Sequence, residues 1–179
     1  MSEADELKEA AERAKESKQL APVSLTMAIF AVLVATVTLL GHRAHTEEIL
    51  LQNKATDEWN FYQAKNMRRN NLEALDDVLT ALENTKEQRA EEVRKRFHDE
   101  IDKYRDQQKD IQTEAKDLEV DVQRTSRRAD RFDLGEVFLE IALVVTSITL
   151  LTERRAYWYF GIILAVVGIG CAASAWFVH

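Results

Sequence analysis

Apolar residues collect in three blocks of this chain and are spaced out everywhere else. Residues Leu20–Leu40 carry no charged side chain, and neither do Ala156–Val178. As a helix each block spans roughly 30 Å, the thickness of a bilayer hydrocarbon core. A third block, Leu134–Leu151, is apolar except for Glu136 and Glu140, and it is long enough to cross if those carboxylates sit near one end. The pattern predicts three transmembrane helices over residues 20–40, 134–151 and 156–178.

Between the first two blocks the pattern changes from continuous to periodic. No glycine and no proline occurs between Gly41 and Gly135, so nothing in residues 41–133 breaks a helix. A single helix of that length would reach roughly 140 Å, yet both of its ends must return to the same membrane. The stretch is therefore expected to fold as an extramembrane helical hairpin with its turn near residues 84–86, at Glu83-Asn84-Thr85-Lys86, each leg roughly 60–70 Å long. The return leg carries a seam of Val93, Phe97, Ile101, Tyr104, Gln108, Ile111, Ala115, Leu118, Val122, Thr125, Ala129 and Phe132. Spacings of four and three residues over more than five heptads are the signature of a coiled coil. The outgoing leg shows two shorter stripes, Leu51, Ala55, Trp59 and Tyr62, then Leu72, Leu75, Val78, Leu79 and Leu82. A turn at residue 84 or 85 sets Leu51 near Leu118, Ala55 near Ala115 and Trp59 near Ile111. The fold class is all-α: an integral membrane protein whose first two transmembrane helices are joined by a long antiparallel coiled-coil hairpin.

Residues 1–19 read as a short polar helix, acids early and Lys15 and Lys18 late, as the helix dipole prefers. Pro22 fits the first turn of the helix that follows. The acidic start and the length of the apolar block argue for a retained helix and against a cleaved signal peptide.

Composition then narrows the function. The net charge is −7 with both signs interspersed, which excludes the basic face of a nucleic-acid binder. The one cysteine, Cys171, lies in the last apolar block and reads as a small packing residue. His42, His45, His98 and His179 are scattered, and there is no phosphate loop, zinc spacing or nucleophile–base pairing. We expect no catalytic residue, no metal and no cofactor, so the chain is not expected to be an enzyme.

One segment is specific. The run Asn53-Lys54-Ala55-Thr56-Asp57-Glu58-Trp59-Asn60-Phe61-Tyr62-Gln63-Ala64-Lys65, with Val23-Ser24-Leu25-Thr26-Met27-Ala28-Ile29 ahead of it, resembles a bacterial membrane family known as domain of unknown function 4337. The order of elements is similar too. The resemblance implies a bacterial inner-membrane protein and no activity. On a helix, Trp59 and Tyr62 share one face and Asn60 and Gln63 the adjacent one. The expectation is a buried aromatic–amide layer joining legs or subunits, with a docking surface for another protein as the alternative.

The apolar blocks hold the remaining candidates. Glu136 and Glu140 are one turn apart on one face, and Glu136 continues the seam beyond Phe132. Intramembrane acids mark polar interiors or ion pathways, and the competing reading places both at the headgroups. Small residues repeat at four and three in Ser24, Ala28, Ala31, Ala35 and Thr38, and again in Gly161, Ala165, Gly168, Ala172 and Ala175. Such stripes let membrane helices approach closely, within one subunit or between subunits, with Ala28, Ala35, Gly161 and Gly168 as the central packing positions. Flanking basic residues nearly balance on the two sides and assign no side to the hairpin.

These readings lead to a homo-oligomeric coiled-coil scaffold or partner-docking protein in the lipid bilayer. A cation channel or ion sensor using Glu136 and Glu140 is the alternative. A YidC-like insertase matches the layout alone, and the absence of any basic residue in Leu20–Leu40 argues against it.

Overall fold

The computed structural model describes residues 3–81 and 88–178, with side chains described over 20–80 and 91–178. It contains α1 (Glu3–Ala81), α2 (Gln88–Thr152), α3 (Arg155–Ser174) and a 3₁₀ turn at Ala175–Phe177. The expected hairpin turn at 84–86 lies outside the described residues. Two compact units are present: Met1–Thr46 with Arg124–His179, and Glu47–Gln123.

Pro22 does not begin a helix but lies inside α1, which differs from the expectation. Proline lacks the N–H that would bond the carbonyl of residue 18, four residues earlier. The helix passes through nonetheless. Thr26 Oγ1 donates back to the Pro22 carbonyl at 2.8 Å.

In the first unit, α1 buries Val23, Phe30, Val37 and Ala44, each seven residues from the next, so one narrow stripe of a long helix faces its neighbours. Phe30, Val37 and Ala44 join Ala129, Phe132, Leu139 and Ala142 of α2 and Ala165 and Ala172 of α3 in one core. The α2–α3 contact is close. A Cβ on Gly135 would lie 2.8 Å from the Gly168 carbonyl oxygen and 3.0 Å from the Ala172 nitrogen, and one on Gly168 would lie 2.9 Å from the Gly135 oxygen. Only residues without a side chain permit that approach. Across the chain reversal, Glu153 adopts φ 54° and donates its N–H to the Thr149 carbonyl at 2.8 Å.

In the second unit the two legs run antiparallel. The seam read from the return leg is its less exposed side: Ile101, Gln108, Ile111 and Ala115 are buried, and Val93, Phe97, Tyr104, Leu118 and Val122 half-buried. Facing them on α1, Ala55 is sealed, with Leu51, Trp59, Tyr62, Leu72 and Leu79 half-buried. Leu75 and Val78, expected in the same stripe, point outward instead. Arg69 and Asp76 continue the seven-residue spacing from Ala55 and Tyr62 and are half-buried in their place.

Candidate functional site

The acidic pair is held very unequally. Glu136 is half-buried against α1, and Thr38 Oγ1 donates to its Oε1 at 2.6 Å. The same hydroxyl lies 2.9 Å from the Val34 carbonyl. One proton serves two acceptors, so the carboxylate competes with the helix's own backbone for it. Farther along the same contact, His45 Nε2 is 3.0 Å from Asp133 Oδ2. Glu140 was expected on the same face as Glu136, and it is one turn away, but it lies on the outer surface of the unit. Its neighbours Val137, Ile141 and Val144 are 50%, 45% and 61% exposed. Helical positions four apart are rotated by about 40°, enough to take Glu140 past the edge of the α1 contact.

The two small-residue stripes also part company. Gly161 and Gly168, with Ala165 and Ala172, are buried on the α2 side of α3. A Cβ on Gly161 would overlap the Thr146 hydroxyl and lie 3.1 Å from the Ala142 oxygen. By contrast, Ala28 and Ala35, with Ser24 and Ala31, are exposed. Thr38 extends that stripe and touches Glu136. The antiparallel sequence of contacts (His45 with Asp133, Thr38 with Glu136) puts Glu140 at the level of residues 34–38, near Ala35. The exposed small face and the exposed carboxylate therefore open on the same side of the α1–α2 pair.

The aromatic–amide motif divides as well. Trp59 Nε1 donates to Glu119 Oε1 at 2.8 Å, and its ring meets Tyr62 edge-on at 5.6 Å. Asn60 and Gln63 are exposed, so the expected buried layer contains the aromatics without their amides. A helix turns about 100° per residue, and the half of the motif that does not face α2 faces out. The amide that is buried is Gln108, 3% exposed, whose Oε1 accepts from Arg69 Nη1 at 2.7 Å. Arg69 also reaches Asn66 Oδ1 at 2.8 Å. Lys65 lies 5.1 Å from both the Phe61 and Tyr104 ring centres and donates to Gln107 at 2.9 Å. Arg94 and His98 both approach Asp76, at 3.7 and 3.5 Å. Sequence reasoning missed the roles of Arg69 and Asp76. Counting on by sevens from Ala55 and Tyr62 reaches both.

Among the described residues no group of three or more His, Cys, Asp or Glu is placed to hold a metal ion. Each of α1, α2 and α3 contains a stretch long and apolar enough to cross a membrane. No curated protein and no solved structure matches the chain. A family model described as a domain of unknown function matches residues 19–178, a span that takes in the Trp59 motif, both acids and all three apolar stretches. By that match the chain belongs to the DUF4337 family.

Proposed function

We propose that this chain is a multi-pass protein of the bacterial inner membrane and that its work is structural. Copies assemble through α1, and the hairpin, acting as an antiparallel coiled coil, holds the assembly or docks a protein partner. The observation that carries this reading is the exposed face of α1. Val23, Phe30, Val37 and Ala44 already satisfy one side of the helix, while Ser24, Ala28, Ala31 and Ala35 offer a second side that is exposed among the described residues of one subunit. Small residues at this spacing favour a second helix over lipid, because backbones approach closely at little cost in side-chain entropy. Glu140 beside them is costly in contact with acyl chains, and a second copy would shield it.

The test is the mass of the full chain in mild detergent at micromolar concentration. A multimer of defined number, dispersed by Ala31→Leu or Ala35→Leu, is the expected result. A monomer under those conditions would overturn the assignment.

The exposed position of Glu140 in an apolar surface also favours a second reading, a ring of carboxylates forming a cation path between copies. Reconstituted bilayers decide that point: the path requires a current whose selectivity changes in Glu140→Gln, and no current removes it.

A further inference from the structure

A cavity of about 210 Å³ lies in the first unit, where the start of the apolar stretch of α1 meets the reversal between α2 and α3. Three of its lining residues are polar, Thr149, Glu153 and Arg155, and Leu20, Val23 and Trp158 supply apolar wall. We propose that this cavity binds the head group of a phosphatidylethanolamine-type lipid, its phosphate at Arg155 and the start of α3, its ammonium at Glu153. The proposal rests on the membrane reading given above.

Four observations carry it. First, Arg155 and Glu153 have opposite charges, line one cavity and form no ion pair with each other or with any described residue. Second, α3 begins without a side-chain cap at Arg154. Tyr157 N–H takes the Arg154 carbonyl, and the N–H groups of Arg155 and Ala156 have no helical acceptor, an arrangement that favours an anion. Third, Thr149 lines the cavity at 1% exposure, and its hydroxyl has no hydrogen-bond partner. A buried hydroxyl without a partner is costly. Fourth, the Trp158 indole N–H is already given to Thr26 Oγ1 at 3.2 Å, which fixes the ring as a wall.

Charge decides among lipids. A purely anionic head group would satisfy Arg155 and be repelled by Glu153. A choline head group carries the right charges, but its quaternary nitrogen has no N–H to donate to a carboxylate. A primary ammonium has three. The cavity lies where uncharged stretches of α1 and α3 begin and the apolar stretch of α2 ends, which is the level of head groups if those stretches span the bilayer.

The experiment uses the full chain, purified in detergent, stripped of lipid and titrated with phosphatidylethanolamine, phosphatidylcholine and phosphatidylglycerol of identical acyl chains, with binding read by native mass spectrometry. Resistance of the protein to alkaline extraction from membranes is scored first. Failure there removes the membrane reading itself, whereas failure in the titration removes only the lipid site. We expect phosphatidylethanolamine to be retained several-fold over the other two. Glu153→Gln should bring the ethanolamine-to-choline ratio close to one, and Arg155→Gln should weaken both lipids together, with helical content by circular dichroism unchanged in each. Equal retention of the three lipids, or an unchanged ratio in Glu153→Gln, would overturn the proposal. So would O-phosphoethanolamine stabilising the stripped protein as well as the lipid does, which would assign the same charges to a soluble ligand.

Discussion

The hydrogen bond between Thr38 and Glu136 is the contact on which one residue matters most. The carboxylate is half-buried, and the Thr38 hydroxyl donates to it at 2.6 Å. Removing only the donor leaves a carboxyl group desolvated and unpaired, which costs more than the bond itself contributes. We expect Thr38→Val to lower the stability of the detergent-solubilised protein by about 1–3 kcal/mol, measured as the shift in midpoint of denaturant unfolding followed by circular dichroism. Adding Glu136→Leu to that variant should recover most of the loss, since an apolar pair of similar shape leaves nothing unsatisfied. The four-residue step from Phe132 to Glu136 made the position of Glu136 legible in the sequence. Its partner was not, because a threonine in an apolar block carries no sign of the residue it will meet ninety-odd positions later.

At the scale of elements, glycine and alanine positions control how closely helices meet. Gly135→Ala places a Cβ 2.8 Å from a backbone oxygen and 3.0 Å from a backbone nitrogen on α3, and backbone atoms of a packed helix cannot swing aside. We expect a loss of about 1–3 kcal/mol, the cost typical of overpacking. Gly170→Ala meets nothing within 4 Å and should raise stability by about 0.5–1 kcal/mol through helix propensity alone, so the pair of variants separates packing from helix propensity in one thermal-shift assay. In the hairpin, Ala115 is 0% and Ala55 1% exposed. Ala115→Leu should cost a similar ~1–3 kcal/mol and be read in the loss of helical content on heating.

The polar contacts of the hairpin also explain an apparent shift of register. A turn at 84 or 85 sets Trp59 opposite Ile111, yet its nitrogen bonds Glu119. Side chains on a helix lean toward its N-terminus. In an antiparallel pair the two lean toward each other along the axis, so long side chains meet from residues beyond the backbone register. Arg69 with Gln108 lies about seven positions beyond that register and Lys65 with Gln107 about two. All three contacts are displaced in the direction that this lean favours.

For the whole molecule, the expected consequence of the exposed α1 face is assembly. Ala31→Leu should convert a multimer into smaller species in native mass spectrometry without lowering helical content, because Ala31 is exposed in its own unit. The all-helical architecture, the three apolar stretches and the buried side of the return leg were all legible in the sequence. Each depends on spacing along a single helix, and a helix fixes which of its own residues share a face. The two small-residue stripes show where that ends. They have the same spacing and nearly the same composition, yet Gly161 and Gly168 are sealed against α2 while Ala28 and Ala35 are left open. Likewise, Glu136 and Glu140 share a helix face on paper, but one bonds Thr38 and the other looks outward. Periodicity orients a residue about its own axis and carries no information about which neighbour occupies that direction. The packing of three helices chose the occupants, by admitting the closest backbone approach where Gly135 and Gly168 allow it, and so decided which faces this chain has left to offer.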